Sequence, residues 1–368
     1  MTQRQRLMAL LEGQTPDCVP WFADLSHWFV VERGQRFIPT SEADRDTEMV
    51  DLHRDLNAGL YLNMGAFYAT DYGDSGVTET TGVDGDFFTW AISTPVGDVR
   101  EIRRWSPVSH SWDITHRMVQ GIEDFPIVRY AMEARRYVPR YENFDAWNDL
   151  VGEVGVPFAV GGFCGLGFLV SRFMGVEQTH YALADEPELT RGLMDIIDAK
   201  QLELVDVLAD SPSPVVLWTD NLDAATQPPP VFRRHGMDFY HEMARKVHAR
   251  GKHLAIHIDG RLGGLLGLLA ECGVDIADAV TPTPMGDLTP EECRIEAGPD
   301  MILWGGVPPN VWEPRWPEEG FIESVKHWLD LRQANPRIVL APGDQVPPGA
   351  PRRRIEIAGE LAQTYGRY

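Results

Sequence analysis

From about residue 155 onward the chain repeats one pattern, and that pattern narrows the choice of fold more than any other feature. A short apolar, β-rich run ends in Gly, Asp, Asn or Pro, and a helix-length stretch follows. The runs are PFAVGGF (157–163), VVLWTDN (215–221), HLAIHIDG (253–260), IADAVTP (276–282), MILWGGVP (301–308) and RIVLAPGD (337–344). Between them, PELTRGLMDIIDAKQLELVDVLA (187–209) carries apolar residues at helical spacing, and two further helices stop at Gly251 and Gly273. Strands alternating with helices require a parallel sheet, because parallel neighbours need crossover connections. With VPWF (19–22) as a first strand, the runs approach the eight that close a barrel. The expected fold is therefore α/β, a (β/α)8 TIM barrel with an N-terminal elaboration, in one domain spanning 1–368. Residues 60–110 hold GDFFTWAIST and GDVREIRRW and read as an inserted antiparallel hairpin or lid. An open doubly wound sheet competes, but no GxGxxG follows a first strand and no P-loop occurs.

The charge balance limits the partners. Lys and Arg number 33 against 55 Asp and Glu, a formal charge of -22, which repels phosphate backbones and anionic lipid. A nucleic-acid or membrane partner is not expected. Cys18, Cys164, Cys272 and Cys293 form no CxxC pair and match no zinc-finger spacing, so they read as reduced thiols of a cytoplasmic protein. The segment MTQRQRLMALLEG reads as a short amphipathic helix, lacking the apolar core of a signal peptide.

In parallel α/β folds the reactive groups collect at strand C-termini. Reading those ends gives Asp220 and Asn221 after the second run, His257 and Asp259 in the third, Trp304 in the fifth, and Asp344 in the sixth. Side chains alternate along a strand, so His257 and Asp259 share a face and can hydrogen-bond, bind a metal or move protons. His257, Asp259 and Asp344 are the expected catalytic group. Asp220, Asn221 and Trp304 are expected at the substrate, with Cys164 in its Gly-rich loop and His27 and Trp28 at the barrel mouth. Each has a bland alternative: Asp also caps helices, Cys164 suits a buried apolar site, and His27 and Trp28 suit helix packing.

At these residues the chain resembles the uroporphyrinogen decarboxylase superfamily. The supporting segments are PWFADLSHW (20–28), FMGVEQTHYALADEPEL (173–189), HIDGRLGGLLGLLAECGVDIADAVTPTPMGD (257–287), ILWGGVP (302–308) and APGDQVPPGAP (341–351). The resemblance implies a distorted TIM barrel, often a homodimer. It also implies one of two chemistries. The decarboxylases act without a cofactor and grip a tetrapyrrole's carboxylates with N-terminal arginines, whereas this chain has Ala23, Asp24, Leu25 and Ser26 there. The methyl-transferring relatives use a zinc motif, His-x-Cys followed far downstream by Cys. This chain keeps His257 but carries Asp259 and Asp344 at the cysteine positions, exchanging soft ligands for hard ones. The methyltransferase-like branch is therefore expected: transfer of a methyl group from a small substrate to a corrinoid, supplied by a corrinoid protein, or to another acceptor. No tightly bound cofactor is expected; any metal would fall to His257, Asp259 and Asp344. A metal-independent decarboxylase or lyase, and a non-catalytic ligand-binding barrel, stay open as alternatives.

Overall fold

The computed structural model describes residues 1–36, 43–62 and 67–368, with the side chains of 43–45 not described. Positions 63–66 of the expected insert lie outside the described residues. Six parallel strands run in spatial sequence: Ala159–Val160, Val215–Leu222, His253–Ile258, Ile276–Val280, Ile302–Val307 and Ile338–Pro342. Two shorter segments close the ring. Trp21 bridges to Leu340 and Asp24 to Gln345, while Phe22 bridges to Gly59 and Leu60 to Gly155, all in parallel. Among the described residues, eight strand segments thus form a closed (β/α)8 barrel, which leaves no exposed sheet edge. The closure is tight enough to demand glycine. A Cβ on Gly155 would fall 1.8 Å from the Leu60 carbonyl oxygen, and one on Gly59 would fall 2.5 Å from the Phe22 ring.

Strand alternation sorts the core into two shells. Phe22, Tyr61, Phe158, Leu217, Ala255, Ile276, Trp304 and Val339 fill the barrel interior. Their sequence neighbours Val216, Trp218, Leu254, Ile256, Leu303 and Leu340 join the larger core beneath the outer helices. The N-terminal helix Gln3–Leu11 plugs the bottom, sending Leu7, Leu10 and Leu11 into the inner shell. A capping box between Thr2 and Gln5 fixes its start. Arg4 donates to the Gly155 carbonyl at 3.1 Å, and Gln3 accepts from the Trp21 amide at 3.2 Å, tying the helix to the strands it closes.

Between the second and third barrel strands the chain makes a four-stranded antiparallel sheet, Thr78–Asp84, Phe87–Thr94, Gly97–Ser106 and Ser111–His116. A helix, Phe125–Ala134, follows, and Tyr68–Asp71 pairs with Arg136–Pro139 to tie the insertion at its base. Trp90, Ile92 and Val99 of the sheet join the main core, as do Phe125, Val128 and Met132. The insertion is packed onto the barrel by apolar contact. Among the described residues no helix is long and apolar enough to cross a membrane.

Candidate active site

His257 sits one position before the end of the fifth barrel strand, in phase with the inward-facing Ala255. Its register partner on the sixth strand is Asp278, in phase with the inward-facing Ile276. His257 Nδ1 lies 2.9 Å from Asp278 Oδ2, and Nε2 lies 3.8 Å from Asp344 Oδ1. Burial disfavours the imidazolium, but the Asp278 hydrogen bond and charge, with Asp344 and Asp259 behind them, outweigh it and raise His257 to about 9. With both nitrogens protonated, the ring donates to Asp278 and presents its other N–H toward Asp344. Burial and the neighbouring carboxylates push Asp344 to about 6, with His257 pulling the other way. Burial raises Asp24 too, despite the Ser26 amide that donates to it at 2.9 Å. The Tyr61 phenol is held well above its ordinary range by burial and then by the charges of Asp278, Asp24 and Asp344. One imidazolium, four carboxyl groups and a phenol thus share the upper part of the barrel. Beneath them lies an aromatic floor, with Trp304 centred 4.7 Å from Tyr61, 4.8 Å from Phe22 and 5.5 Å from Phe158.

The backbone near the pair is irregular. The sixth strand slips register between Asp278 and Val280, and the intervening Ala279 takes φ +68°, a left-handed conformation costly for a residue with a Cβ. The fourth strand slips between Trp218 and Leu222, with Asn221 at φ +47°. Such bulges re-aim side chains at the rims of barrels. Thr281 Oγ1 donates to the Gly343 carbonyl at 2.7 Å, fixing the turn that presents Asp344.

Several expected site residues lie elsewhere. Asp220 shares the phase of Val216 and Trp218, so it points outward beneath the helices. It is fully buried, accepting from Tyr240 Oη at 2.5 Å and from the Cys164 amide at 3.0 Å. Asp220 anchors the loop after the third strand and does not join His257. Cys164 is also fully buried, and burial holds its thiol well above the ordinary value, so it offers neither a thiolate nor a substrate contact. Trp28 packs in the core and donates to the Ala350 carbonyl at 2.8 Å, which is a structural role. His27 is half-buried and donates through Nε2 to the His110 carbonyl at 2.7 Å, linking the insertion to the helix Ser26–Glu32. Asn221 is exposed on its bulge. Asp259 follows the fifth strand, accepts from the Gly260 amide at 2.8 Å and bears electrostatically on His257. Trp304 belongs to the floor. Asp278, Tyr61 and Asp24 were not anticipated. A lone Asp inside the apolar run IADAV was the available signal, since a carboxylate within a buried strand requires a partner.

The site also tests the zinc centre of the thiol-activating relatives. Where the resemblance would put its two cysteines the chain carries Asp259 and Asp344, and the four cysteines of the chain are buried elsewhere. Among the described residues no group of three or more His, Cys, Asp or Glu side chains is arranged to hold a metal ion. These residues do not fit a zinc–thiolate centre.

A closed barrel with an imidazolium–carboxylate centre at the C-terminal ends of its strands has the layout of a TIM-barrel enzyme. Residues 139–365 match the family described as Uroporphyrinogen decarboxylase (URO-D), and the chain belongs to that family. Among solved structures it is similar to a "methyltransferase from Methanosarcina mazei", at 16% identity and TM-score 0.66 over 99% of each chain, which supports the fold. The D-psicose 3-epimerase of Clostridium cellulolyticum H10, solved with D-tagatose, matches 61% of this chain and 84% of its own at 11% identity and TM-score 0.38, too weakly to carry weight. No curated protein matches the chain.

Proposed function

We propose that this chain is a methyltransferase that moves a methyl group from oxygen or nitrogen of a small substrate to a corrinoid or similar acceptor, delivered by a separate corrinoid protein. The observation carrying this reading is the imidazolium of His257 set between Asp278 and Asp344, with Asp344 titrating at about 6. Methyl transfer breaks a bond from carbon to a heteroatom, and the electron pair stays with the heteroatom. That atom leaves readily only if it takes up a proton as the bond breaks. Asp344, whose side chain is 36% exposed, is placed to give that proton, and the His257 imidazolium to stabilise the carboxylate that results. Asp278 holds the ring through Nδ1 and steadies its charge. The likeness to a methyltransferase fold supports the choice of group. A homodimer in the cytoplasm remains part of this proposal.

The test mixes purified protein with a panel of small O- and N-methylated compounds and reduced cobalamin, and follows methylcobalamin by absorbance. Turnover on at least one compound is expected, falling about 100-fold or more in His257→Ala and Asp344→Asn. Variants with undiminished turnover, or a panel without methyl transfer, would overturn the proposal. Release of CO2 in place of a methylated acceptor would move the reading to a decarboxylase or lyase using the same proton donors.

A further inference from the structure

The antiparallel insertion meets the barrel next to an arginine that lacks a counter-ion. Arg172 lies on a π-helical segment, Phe168–Phe173, soon after the third barrel strand. Wide turns of this kind occur often at functional sites. Its guanidinium sits 5.1 Å from the Trp90 ring of the insertion and 5.7 Å from the Phe163 ring of the strand-three loop. Among the described residues it makes no hydrogen bond or ion pair, although it is half-buried.

The neighbouring carboxylates are paired with other groups. Glu79 accepts from Tyr72 at 2.5 Å and Trp90 at 2.8 Å and pairs with Arg135 at 3.3 Å. Glu101 is fully buried and pairs with Arg103 through Oε1 at 2.6 Å, while its Oε2 has no hydrogen-bond partner and reaches no hydrogen-bond distance of Arg172. The charges that bear most on Arg172 are Arg103, Arg135, Glu79 and Glu101, two of each sign, so Arg172 is left as one uncompensated cation. Arg33 and Arg36 nearer the N-terminus are spent on the protein itself: Arg33 pairs with Glu48 at 2.8 Å and Arg36 with Asp86 at 2.6 Å. A lone cation in a partly desolvated aromatic setting is costly unless an anion completes it. In a chain of net charge -22 such a cation is also the exception.

We propose that Arg172, walled by Trp90 and Phe163, is the binding site for one carboxylate group of a small substrate, held where the insertion meets the C-terminal end of the barrel. A guanidinium presents paired N–H donors that match a carboxylate, and the two rings suit an aromatic or apolar body attached to it. From the proposed function this takes only that a small molecule enters the barrel mouth.

Benzoate and its neutral isostere benzamide serve as probes in isothermal titration of the full chain, without acceptor. Benzoate should bind saturably and benzamide about tenfold or more weakly. Arg172→Gln should weaken benzoate about 10- to 100-fold, as expected for loss of a charged hydrogen bond, and leave benzamide unchanged. Arg172→Lys, which keeps the charge but not the fork, should fall between, and it decides the matter if the Gln variant does not fold. Absence of saturable benzoate binding, or equal benzoate affinity in parent and variants, would overturn the inference. Because no methyl transfer is measured, those outcomes leave the acid–base proposal untouched, and failure of methyl transfer leaves this readout intact.

Discussion

Asp278→Asn isolates the pair on which the centre rests. The substitution keeps the shape of the side chain and removes the charge 2.9 Å from His257 Nδ1. Burial pulls His257 down, and Asp278 is the main partner that raises it to about 9. Without that carboxylate the ring should titrate about two pH units lower, at about 7 or below. The sign for stability follows from linkage. A histidine raised on folding stabilises the fold fully below its unfolded value near 6.5, and that contribution disappears as pH rises through 9. A rise from 6.5 to about 9 corresponds to on the order of 3 kcal/mol. Urea unfolding of parent and variant at about pH 6 and about pH 10 measures it, because ionisations common to both proteins cancel in the comparison. The parent should lose on the order of 3 kcal/mol more than the variant across that window. Imidazole NMR should place the two His257 titrations apart by the same reasoning. Equal losses in both proteins, or a variant His257 still titrating near 9, would refute it.

Asp220→Asn should leave turnover within about threefold while lowering stability by about 1–3 kcal/mol in urea, since it weakens the bonds to Tyr240 and Cys164 without touching the cavity. Trp304→Ala should cost about 3–5 kcal/mol by the same measurement, because its fully buried ring supports Phe22, Tyr61 and Phe158. Metal analysis after purification without added metal should find well under about one zinc per chain, given the missing thiolate ligands; a stoichiometric zinc held by His257 would contradict this. Uroporphyrinogen should not be turned over, as Arg33 and Arg36 are tied to Glu48 and Asp86; detectable decarboxylation would contradict that.

Strand and helix periodicity made much of the barrel legible. The helix expected over 187–209 is Pro187–Ala209, and the runs ending in His257, Trp304 and Asp344 are barrel strands or the turns that follow them. GDFFTWAIST and GDVREIRRW fall on the antiparallel strands Phe87–Thr94 and Gly97–Ser106. The second barrel strand was hidden because it consists of little more than Gly59 and Leu60, joined by isolated bridges, and two bonded residues leave no period to read. The site was half legible for a related reason. Alternation says that Val215 and Leu217 face opposite to Val216 and Asp220, but not which set faces inward, and only the closed barrel decides. Asp278 escaped because attention to strand ends passes over a carboxylate in mid-strand, where parallel register alone sets it beside His257. That Arg172 has no counter-ion was not legible, because an unpaired charge is a property of its neighbours in space.

The aromatic floor, backed from below by the leucines of the N-terminal helix, leaves the space over His257 open at one end, a blind tube. Whatever enters through the C-terminal mouth must leave the same way. Two reactants that meet over His257 therefore stand in line. In the proposed methyl transfer the smaller one would have to be seated first, and its demethylated remnant would not depart until the larger acceptor had backed out of the opening. Steady-state kinetics on such a tube would show compulsory order, with high acceptor concentrations trapping the first product inside.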